Sequence, residues 1–304
     1  MGKELQEKKT AKEEASFESN PPRVTEFRRF TRVFFGRKIV VFGFAIIVIL
    51  IFVAIFAPLI SPYDPYKQDM KNALQGPSSA HWLGTDEIGR DILSRLMYGS
   101  RTSLMVGIVA VGVAVAVGVT LGLIAGYFGG WQDSVIMRFI DAMMAIPGMV
   151  LALVFAAMLG GGLLNIMIAV GVSMMPTYTR LMRGQVLSVK NSDFILAAQS
   201  LGSSDIRIML RHIFPNCLPP LIVLITLQLG MAILIEAALS FIGIGISPPG
   251  AAWGSMTASG YSYLLMNPVL SFAPGLCIMV VVLAFNLVGD GLRDALDPRL
   301  RGIL

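Results

Sequence analysis

The chain has 304 residues, of which 55% are hydrophobic and only 14% charged, with a mean hydropathy of +0.72. A soluble domain carries roughly 25% charged residues, so this composition excludes the soluble class and points to a polytopic membrane protein with room for about six spans of roughly 20 residues. The net charge of +5 is no argument for a nucleic-acid partner, because basic residues of membrane proteins gather on the cytoplasmic side.

Charged residues dominate the first ~20 positions, which show no periodic apolar face and read as disordered rather than as a cleavable signal. In RVTEFRRFTRVFFGRK, Phe27, Phe30 and Phe34 share a helical face, with Arg28, Arg29 and Arg32 free for lipid headgroups. This fits an interfacial helix, with an unstructured basic tether as the alternative. The apolar runs place spans at Ile39–Leu59, Thr102–Gly126, Ile136–Leu159, Leu163–Thr179, Asn216–Ile242 and Leu270–Val288.

Pro58, Pro62 and Pro65 end the first span. The polar segment after it contains GTDEIGRD, whose Asp86, Glu87 and Asp91 stand against Arg90 and Arg95. Exposed pairs of this kind contribute about 0–1 kcal/mol each, so they order the loop more than they stabilise it. The segment reads either as a partner-facing surface or as a solvated cap. In the second span Ala110, Ala114, Gly118, Gly122 and Gly126 recur every four residues. Small residues on one stripe let a neighbouring helix approach closely; a glycine hinge is the alternative.

Between the fourth and fifth spans, Asn191–Pro220 reads as two short amphipathic helices around a glycine. Phe194, Ala197, Ala198 and Leu201 form one apolar stripe, and Ile206, Met209, Leu210 and Ile213 the other. Ser192 or Asp193 caps the first helix, Ser204 or Asp205 the second, and Gly202 suits the left-handed residue that ends the first. Such a knob implies something in the water to dock against. Charge orients it. Ten Lys/Arg precede Ile39, Arg138 follows the second span, five lie between Arg180 and Arg211 and three in the tail, against five on the opposite side. Both termini and the knob are therefore expected in the cytoplasm. Ile244–Asn267 carries no charge at all.

Glu236 is the one acid deep in an apolar run, where a charge costs about 2.5–3.5 kcal/mol. It reads equally as a translocation-path contact or as a structural acid bonded to a neighbouring helix. Cys217 and Cys277 are isolated and read as buried hydrophobes. The histidines His81 and His212 lie outside the spans, and neither a GxxxxGK[ST] phosphate loop nor an HExxH zinc motif occurs. No span pairs a nucleophile with a base, so the chain shows no catalytic machinery. In the tail GDGLRDALDPRL, Asp290, Arg293, Asp294, Asp297 and Arg299 suggest a helix end held by local pairs, then a turn at Pro298.

The knob resembles the cytoplasmic E-A-A-x3-G-x9-I-x-L-P loop of ATP-binding-cassette (ABC) importer permeases. Ala197, Ala198, Gly202 and Pro215 match it; Leu196, His212 and Phe214 depart from it. Further segments resemble the C-type membrane subunit of dipeptide, oligopeptide and nickel importers: HWLGTDEIGRDILSRLMYGSRTSL (His81–Leu104), AGYFGGWQD (Ala125–Asp133), RHIFPN (Arg211–Asn216), EAALSFIGIG (Glu236–Gly245) and GDGLRDALDPRL (Gly289–Leu300). The likeness runs from about Phe27 to Leu300.

That resemblance implies an all-α, type I ABC importer permease with six transmembrane helices, in the cytoplasmic membrane of a bacterium or archaeon. It divides the chain into a cytoplasmic tail with an interfacial helix (1–38), the permease domain (39–290, with an external loop 61–101 and a cytoplasmic coupling loop 180–215) and a cytoplasmic C-terminal tail (291–304). The implied partners are a second, B-type permease subunit, two ABC ATPase subunits, an extracellular substrate-binding protein and the bilayer, with no nucleic acid. The chain itself binds no cofactor; ATP and Mg belong to the ATPases. Phe194, Ala197, Ala198, Leu201, Gly202 and Ser203 are expected to dock the ATPase, and Arg207, Arg211 and Pro215 to join the knob to span five. With Leu196 in place of the motif's acid, docking rests on apolar contact or on Gln199 instead. Ala114, Gly118 and Gly122 are expected to pack helices, and Glu236 to line the translocation path. Peptide is the expected cargo. The alternative is an ion-coupled secondary carrier using Glu236.

Overall fold

Apolar runs of this length must satisfy their backbone groups internally, and the chain does so as helices. The computed structural model describes residues 26–246 and 249–296, and among them there is no β-strand beyond a single bridge between Thr85 and Asp91. The expected N-terminal disorder and the residues Asp297, Pro298 and Arg299 of the tail lie outside the described residues.

Helix α1 (Glu26–Gly36) leads into α2 (Lys38–Ile60). The Phe30 and Phe34 rings stack at 5.7 Å, and Phe34 is buried with Val40, Val288 and Ala295. So α1 packs on the end of the last helix as well as preceding the first span. Helix α3 (Ile92–Phe128) is followed by α4 (Gly130–Met144), α5 (Gly148–Leu159), α6 (Leu163–Val189) and α7 (Asp193–Ser200). Helix α8 (Asp205–Arg207) passes through a π-turn (Ile208–Ile213) into α9 (Phe214–Phe241). Helices α10 (Trp253–Tyr261) and α11 (Val269–Leu296) complete the described chain.

Among the described residues, four helical runs are long and apolar enough to cross a membrane: Lys38–Ile60, Ile92–Phe128, Asp205–Phe241 and Val269–Leu296. The third expected span, Ile136–Leu159, is two helices, α4 and α5, meeting at 94°, and counts as a fifth only if the bent pair is one span. Pro147 breaks it, since proline has no N–H for the ladder and pushes its predecessor out of the helical region. The expectation of six spans is therefore not reached on apolar length. Helix α6 falls short because Asn165, Ser173, Thr177 and Thr179 dilute it; its buried face includes Ile166, Val170, Met174, Tyr178 and Met182, so it answers to protein as well as lipid.

Helices also outrun their apolar windows. Helix α3 begins at Ile92, ten residues before Thr102, because Asp91 caps it: its carboxylate accepts the Ser94 N–H at 2.8 Å and the Ser94 hydroxyl at 2.6 Å. Helix α6 continues past Thr179 to Val189, and α11 past Val288 to Leu296.

Among the described residues the α3–α6 seam is the most extensive, and the small-residue stripe makes it. A Cβ on Gly118 would sit 2.7 Å from the Met175 carbonyl, one on Gly122 2.6 Å from that of Thr179, and one on Gly126 2.7 Å from the Val186 Cβ. Ala110 and Ala114 are fully buried on the same line, and Gly171 of α6 returns the contact against Ala110. The stripe is a packing surface, closed along its length.

Both ends of the described chain meet at one end of the bundle. Gly291 of α11 packs on Val40 of α2, and Arg37 pairs with Asp294. The tail is thus tied to α1–α2, and the expected pairs within it are not formed among the described residues. The opposite end carries the polar segment after α2, and there the acids and bases are buried rather than exposed. Asp86, Arg90, Asp91 and Arg95 are each nearly inaccessible. Asp86 accepts the Arg90 Nε–H at 2.6 Å and the Arg90 backbone N–H at 2.9 Å; Arg95 donates to the Pro65 carbonyl at 3.1 Å. For residues 84–95 the solvated-cap reading is corrected, because the charges there are packed and held by one another, whereas most of residues 61–82 stay exposed.

Candidate partner-docking site

The knob lies at the same end of the bundle as Gly126, Val40 and Gly291. Ser192 and Ser204 occupy the N-cap positions of α7 and α8 with extended backbones, yet neither makes a side-chain cap bond, and the Ser192 hydroxyl donates instead to the Val189 carbonyl. Asp193 and Asp205 sit in the first turns, where their charge suits the positive helix end. Gly202 ends α7 at φ +75°, and the following bonds are those of a Schellman turn: Gly202 N–H to the Gln199 carbonyl at 2.9 Å and Ser203 N–H to the Ala198 carbonyl at 3.1 Å.

The two helices divide their apolar residues between two faces. Ile195, Ala198, Ile208 and Ile213 are buried in the main core, while Phe194, Leu196, Leu201, Ile206 and Leu210 face solvent, Leu201 at 86% exposure. Ala197, Gly202, Arg207, Arg211 and Pro215 are also exposed, and Ser203 is half-buried. The expected stripe Phe194–Ala197–Ala198–Leu201 is corrected accordingly. Ala198, at 8% exposure, seats the knob and presents nothing outward. Ile195 shares that inward face and was not part of the expected stripe. Leu196, where the resembled motif has an acid, adds an apolar side chain to the outward face.

The second helix of the knob is not a separate short element. Asp205–Phe241 runs on as one 37-residue path, with a wide turn in which the Phe214 N–H reaches back to the Met209 carbonyl. Pro215, which has no N–H to offer, sits directly after it. Arg207, Arg211 and Pro215 thus lie on a continuous rod from the knob into α9.

Polar ties fix the knob to the bundle. Tyr127 donates to Asp205 at 2.6 Å, joining α3 to α8. The Lys190 ammonium donates to the Gly126 carbonyl at 3.1 Å, a cation at a helix C-terminus. Arg183 grips Asp133 through two bonds of 2.5 and 2.7 Å, and Arg180 meets Asp141 at 2.6 Å, so α4 is clasped along α6. Sequence reasoning missed these ties. The available signal was opposite charge alone, two acids on the segment after α3 and two arginines at the end of α6, with no spacing that pairs them.

Glu236 lies toward the far end of α9, five residues before its last residue, and is fully buried. Its Oε1 accepts the Ser240 hydroxyl at 2.6 Å, and the Ser240 oxygen accepts the Ile246 N–H at 3.3 Å. It stands inside the chain, as the structural-acid alternative has it, with Oε1 clasping the segment that leaves α9 and Oε2 buried without a hydrogen-bond partner among the described residues. Cys217 is buried, Cys277 half-buried, and both are free thiols. Among the described residues no group of three or more His, Cys, Asp or Glu is placed to hold a metal ion.

The family described as binding-protein-dependent transport system inner membrane component matches residues 118–302, and the N-terminal TM domain of oligopeptide transport permease C matches residues 25–77. The glutathione transport system permease protein GsiD of Pectobacterium atrosepticum is 42% identical over 278 residues, covering 91% of this chain and 92% of that protein. The dipeptide transport system permease protein DppC of Alkalihalophilus pseudofirmus is 44% identical over 264 residues, 87% of each chain. An inward-facing structure of the MetNI methionine ABC transporter superposes with a TM-score of 0.55 at 17% identity, over 67% of this chain and 96% of that one, a likeness of fold alone.

Proposed function

Because the chain belongs to the binding-protein-dependent transport system inner membrane components, as the non-catalytic permease subunit of an ABC importer of the dipeptide/oligopeptide C type, we propose that it carries peptides, glutathione among them, and is driven through its knob. An importer of this kind works with a partner permease, an ATPase and a binding protein. In the finer reading the partner is a B-type permease, two ATPase subunits lie in the cytoplasm with all the ATP and Mg, and the binding protein delivers cargo on the outer side. In this reading the chain itself binds no nucleotide.

One observation carries the coupling role. Phe194, Leu196, Leu201, Ile206 and Leu210 form an exposed apolar surface on a turn tied rigidly to α3, α6 and α9. An apolar helical face of this kind suits a hydrophobic groove. Its continuity with α9 lets displacement at the knob move a span, so partners that bind two bundle states differently shift the bundle between them. The charge bias supports a cytoplasmic knob, and the pairing of Arg37 with Asp294 at the knob's end of the bundle is consistent with the first and last described helices ending on that side.

The test is a Leu201→Cys variant in the assembled importer, in membranes of known sidedness. Cross-linking to the ATPase, and labelling by a membrane-impermeant thiol reagent only from the cytoplasmic face, are expected. Labelling from outside intact cells would overturn the reading.

A further inference from the structure

Polar side chains along the long helices, from the knob end inward, are not spread evenly around this bundle. The outward face of α2 is wholly apolar, with Phe42, Ile49, Phe52 and Ile55 exposed. The groove between α6, α9 and α11 differs. At the knob end about 460 Å³ is lined by all three helices, with Gln185, Asn216, Pro219, Pro220 and Arg293 among the residues; further along, between α9 and α11 alone, another part of about 460 Å³ holds Asn286 among aliphatic residues. Gln228 stands midway along α9, one turn beyond Leu224 of the same groove.

The side-chain amides of Gln185, Gln228 and Asn286 make no hydrogen bond to any described residue, and Asn216 uses only its Nδ2, donating to the His212 carbonyl at 2.7 Å. Pro219 and Pro220 bring no N–H to the carbonyls of Pro215 and Asn216 one turn earlier, leaving further acceptors on the same wall. Hydrocarbon offers no partner for any of these groups, whereas water or a passing polar molecule does. Polar residues within membrane segments face a bundle interior or a water-filled cavity.

We propose that this groove is the hydrated wall of the substrate path, and that the carboxamides of Gln185, Asn216, Gln228 and Asn286 exchange hydrogen bonds with the amide backbone of a peptide in transit. A carboxamide both donates and accepts, as a peptide group does, and reads no side chain. The wall therefore takes peptides of varied sequence. The inference rests on the peptide-importer reading above and deepens it.

The experiment uses the complete importer in proteoliposomes, with Cys217 and Cys277 replaced by alanine. Asn286→Cys and Gln228→Cys are expected to react with a permanently charged methanethiosulfonate about tenfold or more faster than Ile49→Cys on the lipid face, and a dipeptide in excess slows that reaction. Equal, slow reaction at all three positions overturns the hydrated wall. Asn286→Leu is expected to raise KM for dipeptide uptake about tenfold, the loss of one hydrogen bond of ordinary strength, and Asn286→Gln to restore it. An unchanged KM in the leucine variant overturns recognition by the amides. Failure of the unmodified importer to take up any peptide would refute the substrate proposed above, and the labelling rates would still decide the groove.

Discussion

Replacing Gly202 by valine separates the turn of the knob from the integrity of the bundle. Gly202 sits at φ +75°, and a Cβ placed there meets nothing within 4 Å. The penalty is therefore conformational, about 1–2 kcal/mol for an L-residue held in the left-handed region, with β-branched valine at the upper end. One to two kcal/mol lowers the population of the turned knob by roughly 5- to 30-fold. If the ATPase engages only the turned form, its apparent affinity falls by the same factor. ATP-driven uptake by reconstituted importer is expected to fall accordingly, with Gly202→Ala at the mild end. The amount inserted in the membrane is expected to stay at the wild-type level, because no core contact is touched. Wild-type uptake by Gly202→Val at equal protein level would refute the role given to the turn.

Three further outcomes follow from the same geometry. Leu201→Asp, on a fully outward side chain, should reduce the ATPase retained on co-purification while leaving membrane yield alone; Ala198→Arg, on the seated face, should lower the yield itself. Gly122→Leu must force a side chain into a space 2.6 Å from the Thr179 carbonyl, so loss of folded protein on size-exclusion chromatography is expected. Glu236→Leu removes the acceptor of the Ser240 hydroxyl and should speed proteolysis between α9 and α10, whereas Glu236→Gln, which keeps an acceptor, should not.

Much of the molecule is written in local chemistry. The apolar runs of α2, α3, α9 and α11 announce themselves, because lipid demands continuous hydrocarbon. The four-residue beat of Ala110 to Gly126 foretells a close seam, and Gly202 foretells a left-handed turn, since both depend on residue type and spacing alone. The knob's existence is legible for the same reason.

Its orientation is not. Periodicity says that Phe194, Ala197, Ala198 and Leu201 share a stripe, but which edge of that stripe turns inward depends on what α7 rests against, and Ile195 and Ala198 win that place in the core. The bend at Pro147 needs the neighbours of α4, with Asp133 and Asp141 clasped by Arg183 and Arg180, before a kink becomes a 94° turn. Burial of Asp86, Arg90 and Arg95 likewise requires a second segment folding over the first, and no charge count along a chain records that. Glu236 looked central because it sits within a long apolar run; the helix carries it toward the far end, where Ser240 and Ile246 close around it. Sequence determines which residues must leave water, because solvation is a property of each side chain. Tertiary structure decides which of them meet, because that depends on partners distant along the chain.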